Sequence, residues 1–131
     1  MMEKIMVYIK VLSGAICSLC TYAFGGVDAV FTVLLSLMAT DYITGVMAGI
    51  KTKSLSSETG FYGVLKKCGI LCVVALGHFI GVMSGIPDVR SLVIGFYIAN
   101  EGISIVENAG RIGVPMPEKL IDILRQLKDK N

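Results

Sequence analysis

Four long apolar runs, broken only by two tight turns and one polar loop, constrain this chain more than any other feature. They cover about residues 5–24, 27–50, 64–86 and 89–110, the second the most apolar and the fourth the most polar. A bilayer core takes about 20 apolar residues in helical form, because each segment must satisfy its own backbone hydrogen bonds. Composition agrees. The 131 residues are 54% hydrophobic and 17% charged, with a mean hydropathy of +0.75, against about 45–50% and about 25% in a soluble domain. The expected fold is an all-α integral membrane protein of about four transmembrane helices plus a C-terminal amphipathic cytoplasmic helix. That divides the chain into a transmembrane domain, 1–114, and a tail, 115–131.

Gly25-Gly26 and Ile86-Pro87-Asp88 read as turns, since glycine and proline punctuate most strongly. Short turns make neighbouring helices antiparallel. Lys51–Gly63 is the one substantial loop between spans. After Val114-Pro115-Met116-Pro117, the tail puts Leu120, Ile121, Ile123, Leu124 and Leu127 on one helical face. Lys119, Asp122, Arg125, Gln126 and Asp129 lie opposite, so this helix is expected to lie on the membrane or zip to a partner. The first run is expected to be structure rather than a cleavable signal, because no polar domain follows it.

Of the twelve basic residues, all but Arg90 fall at the N-terminus, in the loop after the second span or in the C-terminal segment. Basic residues stay cytoplasmic, so four spans with both termini inside are expected. A three-span arrangement, with the first or fourth segment in the interface, would put the termini on opposite sides. The net charge of +2 suggests no nucleic-acid partner.

Asp41, His78, Asn100, Glu101 and Glu107 sit at membrane depth. A central charge costs about 2.5–3.5 kcal/mol on insertion scales, so such groups should face protein or water. Tyr97, Glu101, Ser104, Asn108 and Arg111 follow helical spacing on the fourth span, and Glu107 is placed to pair with Arg111. Asp41 and Thr44 give the second span a shorter polar face. These residues either line a wetted path between subunits or lock helices together as buried pairs. A lone histidine such as His78 is commonly a hydrogen-bonded core residue.

Gly77, Gly81 and Gly85 recur every four positions, and Gly45 with Gly49 repeats the spacing. Small residues in this register let helix backbones approach, within a protomer or between protomers. Cys17, Cys20, Cys68 and Cys72 have suggestive spacings, but in apolar helices cysteine behaves as a small hydrophobe. Neither a metal nor a cofactor is expected, and no catalytic constellation stands out.

Several stretches resemble the phage holin family of the toxin-secretion and lysis type. They are Asp41-Tyr42-Ile43-Thr44-Gly45, Leu55-Ser56-Ser57, Gly60-Phe61 with Gly63, and Lys67 with Gly69. The longest runs from Tyr97 through Asn100-Glu101-Gly102, Ser104 and Glu107-Asn108 to Gly110-Arg111, Gly113, Pro115 and Pro117. The resemblance implies a protein of the bacterial cytoplasmic membrane that oligomerises and opens lesions. Through these an endolysin or a large protein toxin leaves, without a specific site for the cargo. A small proton-coupled transporter or channel acting as a dimer, or a scaffold recruiting a partner through the tail, are the competing expectations. Inverted repeats with matching broken helices would favour the transporter, and the sequence has none.

Overall fold

A computed structural model describes residues 1–130. It is all-helical among these residues: α1 (Met2–Phe24), α2 (Ala29–Lys51), α3 (Ser57–Ser84), α4 (Val89–Ile112) and α5 (Glu118–Lys130). Asn131, at the end of the expected tail, lies outside the described residues. The first four helices are long and apolar enough to cross a membrane.

Local chemistry sets the helix ends. Gly25, Gly85 and Gly113 terminate α1, α3 and α4 in the left-handed conformation, which costs glycine no Cβ clash. Asp28 caps α2 by accepting from the Phe31 N–H at 3.1 Å, and Ser56 caps α3 by accepting from the Thr59 N–H at 3.1 Å. That second cap corrects the expected loop over 51–63. The Ser56 hydroxyl, with Glu58 in the first turn, starts α3 at Ser57, seven residues before the expected Val64.

α2 and α4 form the closest pair. Phe31, Leu34 and Met38 from α2 meet Ile70 and Val74 of α3 and Ile94 of α4 in one buried cluster. α3 reaches α4 where Gly77 leaves room for Val93, which a Cβ would meet at 3.0 Å. α2 and α3 touch sparsely. α1 stands outside, with no buried residue, touching α3 through the edge-on Tyr22–Phe79 pair at 5.7 Å.

Arg90 binds the two turns at one end of the bundle. Its Nη1 donates to Asp28 Oδ2 at 2.7 Å, and its Nη2 donates to Asp28 Oδ1 at 3.1 Å and to the Gly26 carbonyl at 2.9 Å. Its Nε donates to the Phe24 carbonyl, and the guanidinium lies 5.9 Å from the Phe31 ring centre. Gly25 is obligatory here, because with φ +81° a Cβ would fall 2.6 Å from His78 Nδ1 and 2.9 Å from the Arg90 side chain. The hydrogen bonds from Arg90 hold the Asp28 carboxyl down, from an ordinary 3.8 to about 2.

α5 folds back along α4 instead of standing apart as a surface helix. Leu124 packs on Gly102, where a Cβ would lie 2.9 Å from Leu124 Cδ2. Ile121 and Leu124 face Ile103, Val106 and Gly110 across a groove of about 210 Å³. Acidic and basic residues of α5 such as Glu118, Asp122 and Arg125 stay exposed.

Two outcomes are expected. Gly102→Val should release α5, so that trypsin cuts at Lys119 and Arg125 several-fold faster in the folded protein; an unchanged cleavage rate would refute the docking. Arg90→Ala should cost about 2 kcal/mol in detergent, the scale of hydrogen bonds to a charged group, with Asp28→Asn milder because asparagine still caps α2. The folded Asp28 value lies below the unfolded one. Its contribution is therefore complete above about pH 4 and lost as pH falls toward 2. A wild-type stability loss between pH 6 and 8 that Asp28→Asn abolishes would contradict this.

Candidate functional site

The middle of the bundle holds a charged triad. Asp41 and Glu101 each lie thirteen residues beyond the aspartate at their helix N-cap, 41 against Asp28 and 101 against Asp88, so the carboxylates sit at one depth. Lys67 enters between them from α3. Its Nζ donates to Asp41 Oδ2 at 2.7 Å and to Glu101 Oε2 at 2.9 Å. Glu101 is 2% exposed and the other two side chains 17%.

A second tier extends this network toward the end of the bundle where α1 begins and α2 and α4 end. Asn108 Nδ2 lies 2.9 Å from Asp41 Oδ1, 3.1 Å from the Asp41 carbonyl and 3.0 Å from Thr44 Oγ1. Asn108 Oδ1 accepts from Arg111 Nη2 at 2.8 Å. Two carboxylates therefore stand against one ammonium and, through Asn108, one guanidinium, leaving no net charge. Lys51 Nζ donates to the Ile112 carbonyl at 2.6 Å, closing α2 onto the end of α4. Among the described residues, no buried side-chain nitrogen or oxygen lacks a partner.

Sequence-derived residues divide accordingly. Asp41, Thr44 and Glu101 join one network, and Gly45 lies beside Asn108, its would-be Cβ 3.6 Å from Nδ2. Asn100 and Ser104 are half-buried on α4 outside it. Glu107 is exposed and borders the α5 groove. The expected Glu107–Arg111 pair is replaced by Arg111–Asn108, because the amide lies on the buried side of α4 and the carboxylate does not. His78 lies outside this network, at the Arg90 end beside Gly25. Gly77 and Gly81 face Val89 and Val93 of α4, Gly49 faces Leu55, and Gly85 is a helix terminus with open space around it.

Two features escaped sequence reasoning. Lys67 counted as one of several loop lysines, whereas the early start of α3 carries it into the bundle. The shared depth of Asp41 and Glu101 was the available signal that a cation was needed. The other feature is a hydroxyl ladder on α2. Thr32, Ser36, Thr40 and Thr44 each donate to the carbonyl four residues earlier at 2.8 Å. Such bonds satisfy a hydroxyl in an apolar setting, and the fourfold spacing was legible. Thr32, Ser36 and Thr40 are exposed on the outside of the bundle.

The arrangement defines a multi-pass membrane protein with a polar, charge-balanced centre. Residues 18–129 match the bacteriophage holin family, and the chain belongs to it. It is 42% identical over 131 residues to an uncharacterized 14.9 kDa protein in the nagH 3' region of Clostridium perfringens, covering 98% of this chain and 99% of that one. Lmo0128 of Listeria monocytogenes, also uncharacterized, is 43% identical over 104 residues, 79% of this chain and 74% of its own. YqxH of Bacillus subtilis is uncharacterized and 36% identical over 110 residues, 83% and 78% of the two chains. No solved structure matches.

Removing the shared cation should leave two carboxylates uncompensated, Glu101 buried and Asp41 half-buried. Lys67→Met is expected to lower stability by about 3 kcal/mol or more. Adding Asp41→Asn and Glu101→Gln should restore most of the loss, since the uncompensated charges are then gone. Unfolding by denaturing detergent, followed by circular dichroism, measures both. Equal stability of Lys67→Met and wild type would show that the triad does not hold the helices.

Proposed function

We propose that this protein is a working holin. It accumulates in the bacterial cytoplasmic membrane with both termini inside, oligomerises, and opens lesions that release an endolysin or a large protein toxin. The observation that carries this reading is the buried Asp41–Lys67–Glu101 triad in a chain of the holin family. A lesion needs a protein with two tolerable packings a few kcal/mol apart. Charges that satisfy one another inside a protomer can exchange those partners for water when a face becomes wet. Apolar side chains in the same places could not. The hydroxyl ladder of α2 supplies an outer face suited to the same change, since its side chains can turn from backbone carbonyls to water or to a second copy.

Induced expression in a bacterial host, with and without a cytoplasmic endolysin, tests the reading. Membrane potential should collapse abruptly, with lysis only where endolysin is present. Glu101→Gln, which removes a charge but keeps the shape, should shift the time of collapse. Continued growth with the protein present in the membrane would overturn the proposal. A substrate-dependent proton flux without protein release would indicate a transporter instead.

A further inference from the structure

Between α2 and α3, toward the end of the bundle where α1 begins and α4 ends, an open cleft of about 360 Å³ reaches down to Asp41 and Lys67. Four glycines open its walls. Gly45 and Gly49 line the α2 side, and Gly60 and Gly63 line the α3 side. Its volume falls within the range of small-molecule sites, roughly 300–1,000 Å³.

The hydrogen-bonding inventory of the cleft is one-sided. Both Asp41 carboxylate oxygens are occupied, Oδ1 by Asn108 and Oδ2 by Lys67. Ser54 and Thr59 are paired with neighbouring hydroxyls. Among the described residues, the donors without partners are the Tyr42 hydroxyl, Lys66 Nζ, and Nε and Nη1 of Arg111, while only Nη2 of Arg111 is used. Three cations, Lys66, Lys67 and Arg111, line the cleft; Asp41 in its wall and Glu101 behind Lys67 balance two of them, leaving the charge of Lys66 in excess. Spare donors and excess positive charge call for an anion with several acceptor oxygens.

Depth narrows the class. The 24 residues of α4 measure about 36 Å against a hydrocarbon core of about 30 Å. Arg111, one residue from its end, therefore stands at the level of lipid phosphates. The cleft opens sideways because α2 and α3 touch so sparsely, giving a lipid a lateral entrance. Val46 and Leu55 offer apolar wall to the start of an acyl chain.

We propose that this cleft binds the headgroup of an anionic phospholipid, its phosphate held by Lys66 and Arg111 and its glycerol region against Tyr42. Basic pockets between transmembrane helices take such headgroups, and guanidinium suits phosphate geometry. The site requires only a membrane-embedded chain and does not depend on lesion formation.

The test uses the full-length protein in nanodiscs, with spin-labelled phosphatidylglycerol and phosphatidylcholine as probes. Phosphatidylglycerol should associate about tenfold more strongly, on the scale of basic residues at an anionic surface. Lys66→Gln should weaken that preference, and Lys66→Gln with Arg111→Gln should abolish it. Lys66 is exposed and unpaired, so its variant tests the site without touching the bundle's interior. Gly63→Leu should block the cleft and abolish the preference with every charge in place. Equal association of the two lipids with wild type, or an unaltered preference in the double variant, would overturn the proposal. So would loss of the preference on adding millimolar inorganic phosphate, which would assign the cleft to a free anion. Crosslinking of Gly63→Cys between two copies, at equal yield in both lipids, would assign it to a second protomer and likewise refute the lipid.

Discussion

One ammonium shared by two carboxylates ties three helices together at mid-bundle. Lys67 is the only donor that reaches both Asp41 and Glu101 among the described residues, so α2, α3 and α4 meet at a single nitrogen. In lipid there is little hydrophobic force between helices, because a lipid tail is as apolar as leucine; packing and polar contacts must hold them. An interhelical hydrogen bond there averages about 0.6 kcal/mol, less than the insertion cost of one central charge. The triad is therefore not a large source of net stability. What it fixes is register, since a slide of one turn along any of the three helices would strand a charge.

Beyond the triad and the Asn108 contacts beside it, long-range polar contacts lie at the two ends. Arg90 joins the turns before α2 and α4, and Lys51 closes the end of α2 onto the last carbonyl of α4. α2 and α4 are thus tied at top, middle and bottom, and they carry most of the buried side chains. α3 is held by Lys67 and by close approach at Gly77, and α1 by the Tyr22–Phe79 edge and by Phe24 at its end, which stacks on Phe31 at 5.1 Å and whose carbonyl accepts from Arg90. This gradient of attachment separates a fixed pair from two helices whose faces remain available to lipid or to other copies.

Much of this was legible because its cause is local. Run length marked four helices, Gly25-Gly26 and Ile86-Pro87-Asp88 marked two of the turns between them, and the tail's periodicity marked α5. The early start of α3 was also written in Ser56 and Glu58, but the apolar run beginning at Val64 drew the boundary inward. The site was harder, since its members are distant in sequence. Asp41 and Glu101 stood out as costly residues, yet their partner depended on where α3 begins and how it faces. Arg90 was the basic residue that broke the charge pattern. Its role appears only once two turns, more than sixty residues apart, are brought to one place. Glu107 and Arg111 had ideal helical spacing, but Asn108 on the inner face took the guanidinium, a choice that burial makes and spacing cannot.

The docking of α5 limits what can surround α4. Gly102 lies ten residues before Ile112, so Leu124 packs about 15 Å from the end of a helix long enough to span the bilayer. At that level α5 exposes Asp122 and Arg125, charges that hydrocarbon would penalise by a few kcal/mol each. A docked α5 therefore requires water or headgroups along the C-terminal half of α4, whereas lipid contact on that face requires α5 to leave. The link from Gly113 to Pro117 joins the two helices without a helical connection, and apolar contacts such as Leu124 on Gly102 and Ile121 at the groove hold them together. The polarity of the medium beside α4 thus decides where α5 sits, which couples the tail to the wetting of the bundle.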